Sequence, residues 1–209
     1  MSGMTRRGFF RGLFRREPRA GVQTFAAAQV VLMHDARPGL RDEIAAIIRS
    51  PEPQSADERR TFYKRLLGAL GGCEPFFEYG YFETSRSDDA REDFRLFVTD
   101  VENALATEDE ETGDGIDDMH RLSSEQRFIV VSVAVLFDGG HAPFEAVEDG
   151  AHGPHYTRHG FAALMREFLR LDFERVEADA AFLAPGSALD GFSMDDLNGE
   201  GWEYLVPLS

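Results

Sequence analysis

Three histidines, His152, His155 and His159, fall inside the stretch "HGPHYTRH", and Asp138, His141, Glu145, Glu148 and Asp149 stand just upstream of them. Neutral imidazoles are zinc ligands at about 2.0 to 2.1 Å, and carboxylates commonly orient them from behind. A metal-dependent hydrolase working through the loop 138–159 is therefore one reading, with His152, His155 and His159 as its metal ligands. The other is a polar surface loop with histidines scattered through it. If Thr157 opens a helix, His155 lies outside that helix and His159 inside it, so the two do not share a helical face. No catalytic residue follows from a motif: "APGSALDG" lacks the G-x-S-x-G spacing, and neither a phosphate loop nor G-x-G-x-x-G after a strand is present. No cofactor is expected.

Other acids invite the same weighing. Glu177 and Asp179 alternate along "ERVEADAAFLAP" and could form a paired-acid site, but alternating acids usually mark the solvent face of a half-exposed strand. "EDEETGDGIDD" (108–118) holds seven acids, yet resembles a calcium loop only in composition. Counting from Asp109, the sixth and twelfth positions hold Asp114 and His120, where an EF-hand needs Gly and Glu. Trp202 and Tyr204 read as core or edge-strand aromatics.

The segment "TRRGFFRGLFRREPR" (5–19) carries a different chemistry. Wound as a helix, it gathers Phe9, Phe10, Leu13 and Phe14 on one face, while Arg7, Arg11 and Arg15 follow one another every fourth residue; Arg6 and Arg16 add to the charge. Such a basic amphipathic helix inserts rings at a lipid headgroup boundary or docks on an acidic protein groove. A protein partner or an anionic membrane surface is thus expected at residues 5–19. The pair Arg6–Arg7 also resembles a twin-arginine export signal, although "RREPR" intervenes before any apolar core. A disordered tail is the remaining alternative.

Composition narrows these choices. Net charge is −16, but residues 1–19 hold six arginines against Glu17, or +5, which leaves −21 for residues 20–209. So acidic a body is repelled by nucleic acid, and no nucleic-acid partner is expected. Cys73 is the single cysteine, which rules out an internal disulfide and fits a reducing compartment. No apolar run reaches the roughly 18 residues of a spanning helix. The expected location is cytoplasmic, peripheral to a membrane if the tail docks there. Oligomeric state does not follow from the sequence.

These groups need elements to place them. Val22, Phe25, Ala26, Val30 and Met33 recur at helical spacing, as do Leu40, Ile44, Ile47 and Ile48. Ser55 and Glu58 have the capping-box spacing ahead of Phe62, Leu66, Ala69 and Leu70, and Phe94, Phe97, Val98, Val101 and Leu105 form the clearest stripe. Residues 22–106 therefore read as a helical half, with "EPFFEYGYFE" as an irregular middle, and residues 107–119 as a solvated acidic loop. Beyond it the period changes. "RFIVVSVAVLF" is apolar on both faces, as a covered central strand is, with Val131, Val133 and Val135 buried. Phe161, Leu164, Met165, Phe168 and Leu169 make a helix, "ERVEADAAFLAP" a strand, "SMDDL" a short capped helix, and "WEYLVPL" closes the chain. The expected architecture is α+β: a basic tail (1–19), then one domain (20–209) in which an N-terminal helical half packs against a small C-terminal sheet (120–209) carrying a strand-helix-strand unit.

In order, "GVQTFAAAQVVL", "EPFFEYG", "FIVVSVAVLFDG", "FERVEADAAFLAP" and "FSMDDL" resemble the domain-of-unknown-function family numbered fifteen-seventeen, known from cyanobacteria, plastids and other bacteria. The likeness would cover roughly residues 22–206. It implies an uncharacterised interaction or scaffold protein with no assigned activity and no catalytic residues, and many members look membrane-tethered. This chain has the basic aromatic tail where those members have a hydrophobic segment, and it inserts "HAPFEAVEDGAHGPHYTRHG" after the central strand.

Overall fold

The computed structural model describes residues 9–14, 21–111, 128–147, 153–185, 191–197, 202 and 204–209. Its centre is an antiparallel sheet. The strands are β1 (Phe9–Phe14), β2 (Gln23–Met33), β3 (Phe77–Ser87), β4 (Phe128–Asp138), β5 (Val176–Ala184) and β6 (Val206–Pro207), laid side by side in the order β1-β5-β4-β2-β3-β6. Helices α1 (Leu40–Ile48), α2 (Ala56–Gly71), α3 (Ala90–Glu111), α4 (Ala142–Glu145), α5 (Arg158–Glu167) and α6 (Met194–Leu197) connect and cover them. The α+β class is as the sequence led us to expect. The division into a helical half and a C-terminal sheet is not, because strands from both ends of the chain build one sheet.

The main correction is β2. Residues expected as the first helix run extended between β3 and β4, with Val30 opposite Val131 on one side and Gly80 on the other. Helical spacing misled because Phe25–Leu32 is apolar at every position except Gln29, so both a helical and an extended face can be drawn through it. Burial decides between them. Ala26, Ala28, Val30 and Leu32 pack toward the layer of α1, α2 and α5, while Phe25, Ala27 and Val31 pack toward α3. A strand covered on both faces has no polar side, and the alanines, good helix formers alone, are overridden by that setting. Gln29, on the α3 face, donates through Nε2 to Ser132 Oγ at 2.9 Å, a polar pair at the sheet centre that favours this register.

"EPFFEYGYFE" is likewise ordered: a 3-10 turn at Glu74–Phe76 leads into β3. Gly80 has a packing reason. A Cβ there would stand 2.6 Å from the Phe161 ring, so only glycine lets α5 lie this close to the strand. The turn of β3 into α3 makes a crossover to β4, which is parallel to β3 with β2 between them. Helix α3 continues to Glu111, into the segment expected as loop. The rest of the acidic stretch lies outside the described residues.

Other expectations hold. Ser55 caps α2, its side chain accepting from Glu58 N at 3.2 Å, and Glu58 reaches back to Gln54 N at 2.6 Å. Val131, Val133 and Val135 are fully buried in β4, and β4, α4, α5 and β5 form the expected strand-helix-strand unit. Among its described residues the closing segment adds the two residues of β6 to the sheet; Trp202 is buried against Phe192 (ring centroids 5.4 Å), while Tyr204 is exposed with its ring 4.6 Å from that of Tyr81.

Candidate functional site

Two of the three candidate histidines fall among the described residues. His152 lies outside the described residues. His155 is half-buried in a 3-10 turn, Pro154–Tyr156, and Thr157 then caps α5 by accepting from Gly160 N at 3.0 Å. His159, in the first turn of α5, is exposed and its Nδ1 lies 3.0 Å from Glu74 Oε1. Of the upstream groups, Glu148 and Asp149 lie outside the described residues, and Glu145 and His141 are engaged elsewhere. Glu145 pairs with Arg86 at 2.9 Å, and His141 Nε2 stands 3.4 Å from Glu167 Oε2 with its ring against Phe144. The Asp138 carbonyl accepts from the Arg175 guanidinium. Gly139, at φ 73°, turns the chain out of β4 where any Cβ would collide with that guanidinium, and Thr24 Oγ1 fixes the turn by donating to its carbonyl at 2.6 Å. Among the described residues no three of His, Cys, Asp and Glu are placed to hold a metal ion.

Glu177 and Asp179 are also placed differently from expectation. Both are buried, and so is every residue of β5. A bulge at the start of β5, opposite Leu136 and Phe137, separates their surroundings. Glu177 pairs with Arg91 of α3, on one side of the sheet; Asp179 pairs with Arg59 of α2, on the other, at 2.8 Å. Arg59 also donates to the Val176 carbonyl at 2.8 Å. The two acids thus serve as separate anchors for the two helical layers rather than as one acid pair. The signal for them was available: Arg59 precedes Phe62, Tyr63 and Leu66, and Arg91 precedes Phe94 and Val98, at the spacing of each apolar stripe. A cation in a buried stripe needs a buried anion.

The tail yields the largest change. Phe9, Phe10, Arg11, Leu13 and Phe14 form a strand with Gly12, not a helix, and Arg6, Arg7, Arg15 and Arg16 lie outside the described residues. Strand β1 runs antiparallel to β5, with Phe9 opposite Leu183, Arg11 opposite Ala181 and Phe14 opposite Ala178. A helix would have drawn the four apolar residues to one side. An extended chain instead sends successive residues to opposite faces, and the ladder satisfies backbone groups that an isolated short helix leaves to water. Residues 9–14 therefore belong to the sheet, and the one-sided helical foot is not what they form.

Comparison of the chain with family models, curated proteins and solved structures finds no match. No helix among the described residues is long and apolar enough to cross a membrane.

Proposed function

We propose that the protein is a non-enzymatic interaction or scaffold protein of the cytoplasm, recruited to a protein assembly through its basic aromatic N-terminal segment. What carries this reading is the position of β1, the outermost strand of the sheet, in the one part of the chain where positive charge is concentrated. Residues 1–19 carry +5 against −21 for the remainder, so the segment offers a partner a surface that the body does not. A protein partner is favoured over lipid because shallow insertion into a bilayer uses a one-sided helix, whereas residues 9–14 are extended and hydrogen-bonded along β5. The resemblance to the fifteen-seventeen family, which has no assigned activity, belongs to the same proposal.

Copurification tests it. Full-length protein tagged at its C-terminus is compared with a variant carrying Glu at positions 6, 7, 11, 15 and 16, after circular dichroism has shown both to be folded. A partner retained by the first and lost by the second is expected. Equal capture by both would move the contact away from the segment. Flotation with acidic vesicles is the counter-test: vesicle binding that survives high salt would transfer the recruitment to a membrane surface.

A further inference from the structure

We propose that the cleft between α1 and α2 binds a small organic carboxylate, with the apolar body of the ligand on the helices and its charge on Arg65. This site uses no residue of the N-terminal segment and goes beyond recruitment. The cleft has a volume of about 440 Å³, inside the range of about 300–1,000 Å³ that small-molecule sites occupy. Arg65, Gly68, Ala69 and Gly72 line it from α2 and its C-cap, at the spacing that places them on one helical face, and Ala46 and Ile47 line it from α1. Ile47 and Ala69 are buried and make an apolar floor, while the exposed Ala46 and Gly68 are too small to close the cleft above it. Gly68 is the second observation. A glycine inside a helix is less favourable than alanine, yet a Cβ added there would meet nothing within 4 Å, and its φ is not positive. Neither internal packing nor backbone conformation calls for glycine at this position; the missing side chain keeps the cleft open.

Charge selects the ligand. Two arginines and one acid line the cleft, and Arg37 is paired with Glu43 of the first turn of α1. Arg65 is exposed, and among the described residues it has no hydrogen-bond or ion-pair partner. One uncompensated positive charge beside an apolar floor suits a ligand with one negative charge and an apolar body. The parallel N–H groups of a guanidinium match the two oxygens of a carboxylate. The acidic remainder of the chain opposes an anion only at long range, because screening confines charge effects to about 8 Å at physiological salt.

The test titrates full-length protein with sodium hexanoate and follows the backbone amide resonances of Gly68, Ala69 and Gly72. Hexan-1-ol, which has the body without the charge, and acetate, which has the charge without the body, are the controls. Hexanoate should shift these amides saturably, and both controls should bind much more weakly. Arg65→Gln should weaken hexanoate about tenfold, the loss of a hydrogen bond between charged groups, with the circular dichroism spectrum unchanged. Gly68→Ala should melt no lower than the parent, since the added Cβ meets nothing, and should still weaken hexanoate severalfold by narrowing the cleft; a glycine with a purely structural role would not show that split. No saturable shift, binding of hexan-1-ol equal to that of hexanoate, or unchanged affinity in either variant would each overturn the proposal.

Discussion

The Asp179 carboxylate and the Arg59 guanidinium meet at 2.8 Å with both side chains at most 10% exposed, and each is tolerable in the interior only because of the other. Asp179→Ala leaves a buried cation, so urea denaturation should show a loss of about 3–5 kcal/mol. Arg59→Met combined with Asp179→Leu should recover most of it, because an apolar pair needs no compensation. A single-variant loss within experimental error would mean that water reaches the site. Tyr81 supplies a second case. Burial first, and then its 2.8 Å hydrogen bond to the Glu83 carboxylate, raise its pKa above the ordinary phenol value. The folded protein therefore holds this proton more tightly than the unfolded chain, and the contribution to stability is intact below about pH 10 and lost as pH rises beyond it. Tyr81→Phe should flatten the alkaline limb of the stability profile. At this scale the sequence was legible where a local pattern states the role, as the capping-box spacing does for Ser55, the helical stripe for Phe62 and the two-faced apolar run for Val133. Asp179 and Glu177 were misread because alternation along a strand looks the same whether the polar positions face water or a buried arginine.

Among the elements, β4 was readable from a run rich in β-branched residues and apolar on both faces, and it lies at the middle of the sheet with every residue from Phe128 to Phe137 buried. Val133→Asp puts an unpaired carboxylate at a position with 0% exposure, a cost of several kcal/mol. The cooperative thermal transition should disappear; a transition near the parent's would refute the central placement of β4. Strand β2 was illegible for a definite reason. Its alanines, the best helix formers, are needed by small-residue packing under helices on both faces, and nothing in the local pattern states that a second layer exists. β1 adds a prediction at the same scale. Removing residues 1–19 strips the ladder from β5 and uncovers an edge, so the truncated protein should melt at lower temperature and self-associate, as light scattering would show. A detachable tail would leave both properties unchanged.

For the molecule as a whole, the decisive feature is a sheet whose strands come from both ends of the chain, with helices α1, α2 and α5 on one side and α3 on the other. Charge is divided between a strongly acidic body and the basic residues 1–19 that include β1, and the proposed recruitment depends on that strand being part of the sheet. Composition revealed the division of charge; it could not reveal where the basic segment docks, since pairing with β5 is a contact between residues about as far apart as the chain allows. Hydrogen exchange at the amides of residues 9–14, resolved by nuclear magnetic resonance in the free full-length protein, tests this most directly. The account predicts alternation, with amides turned toward β5 protected and those on the outer edge exchanging fast. Uniformly fast exchange, or protection of four consecutive amides as in a helix, would contradict it.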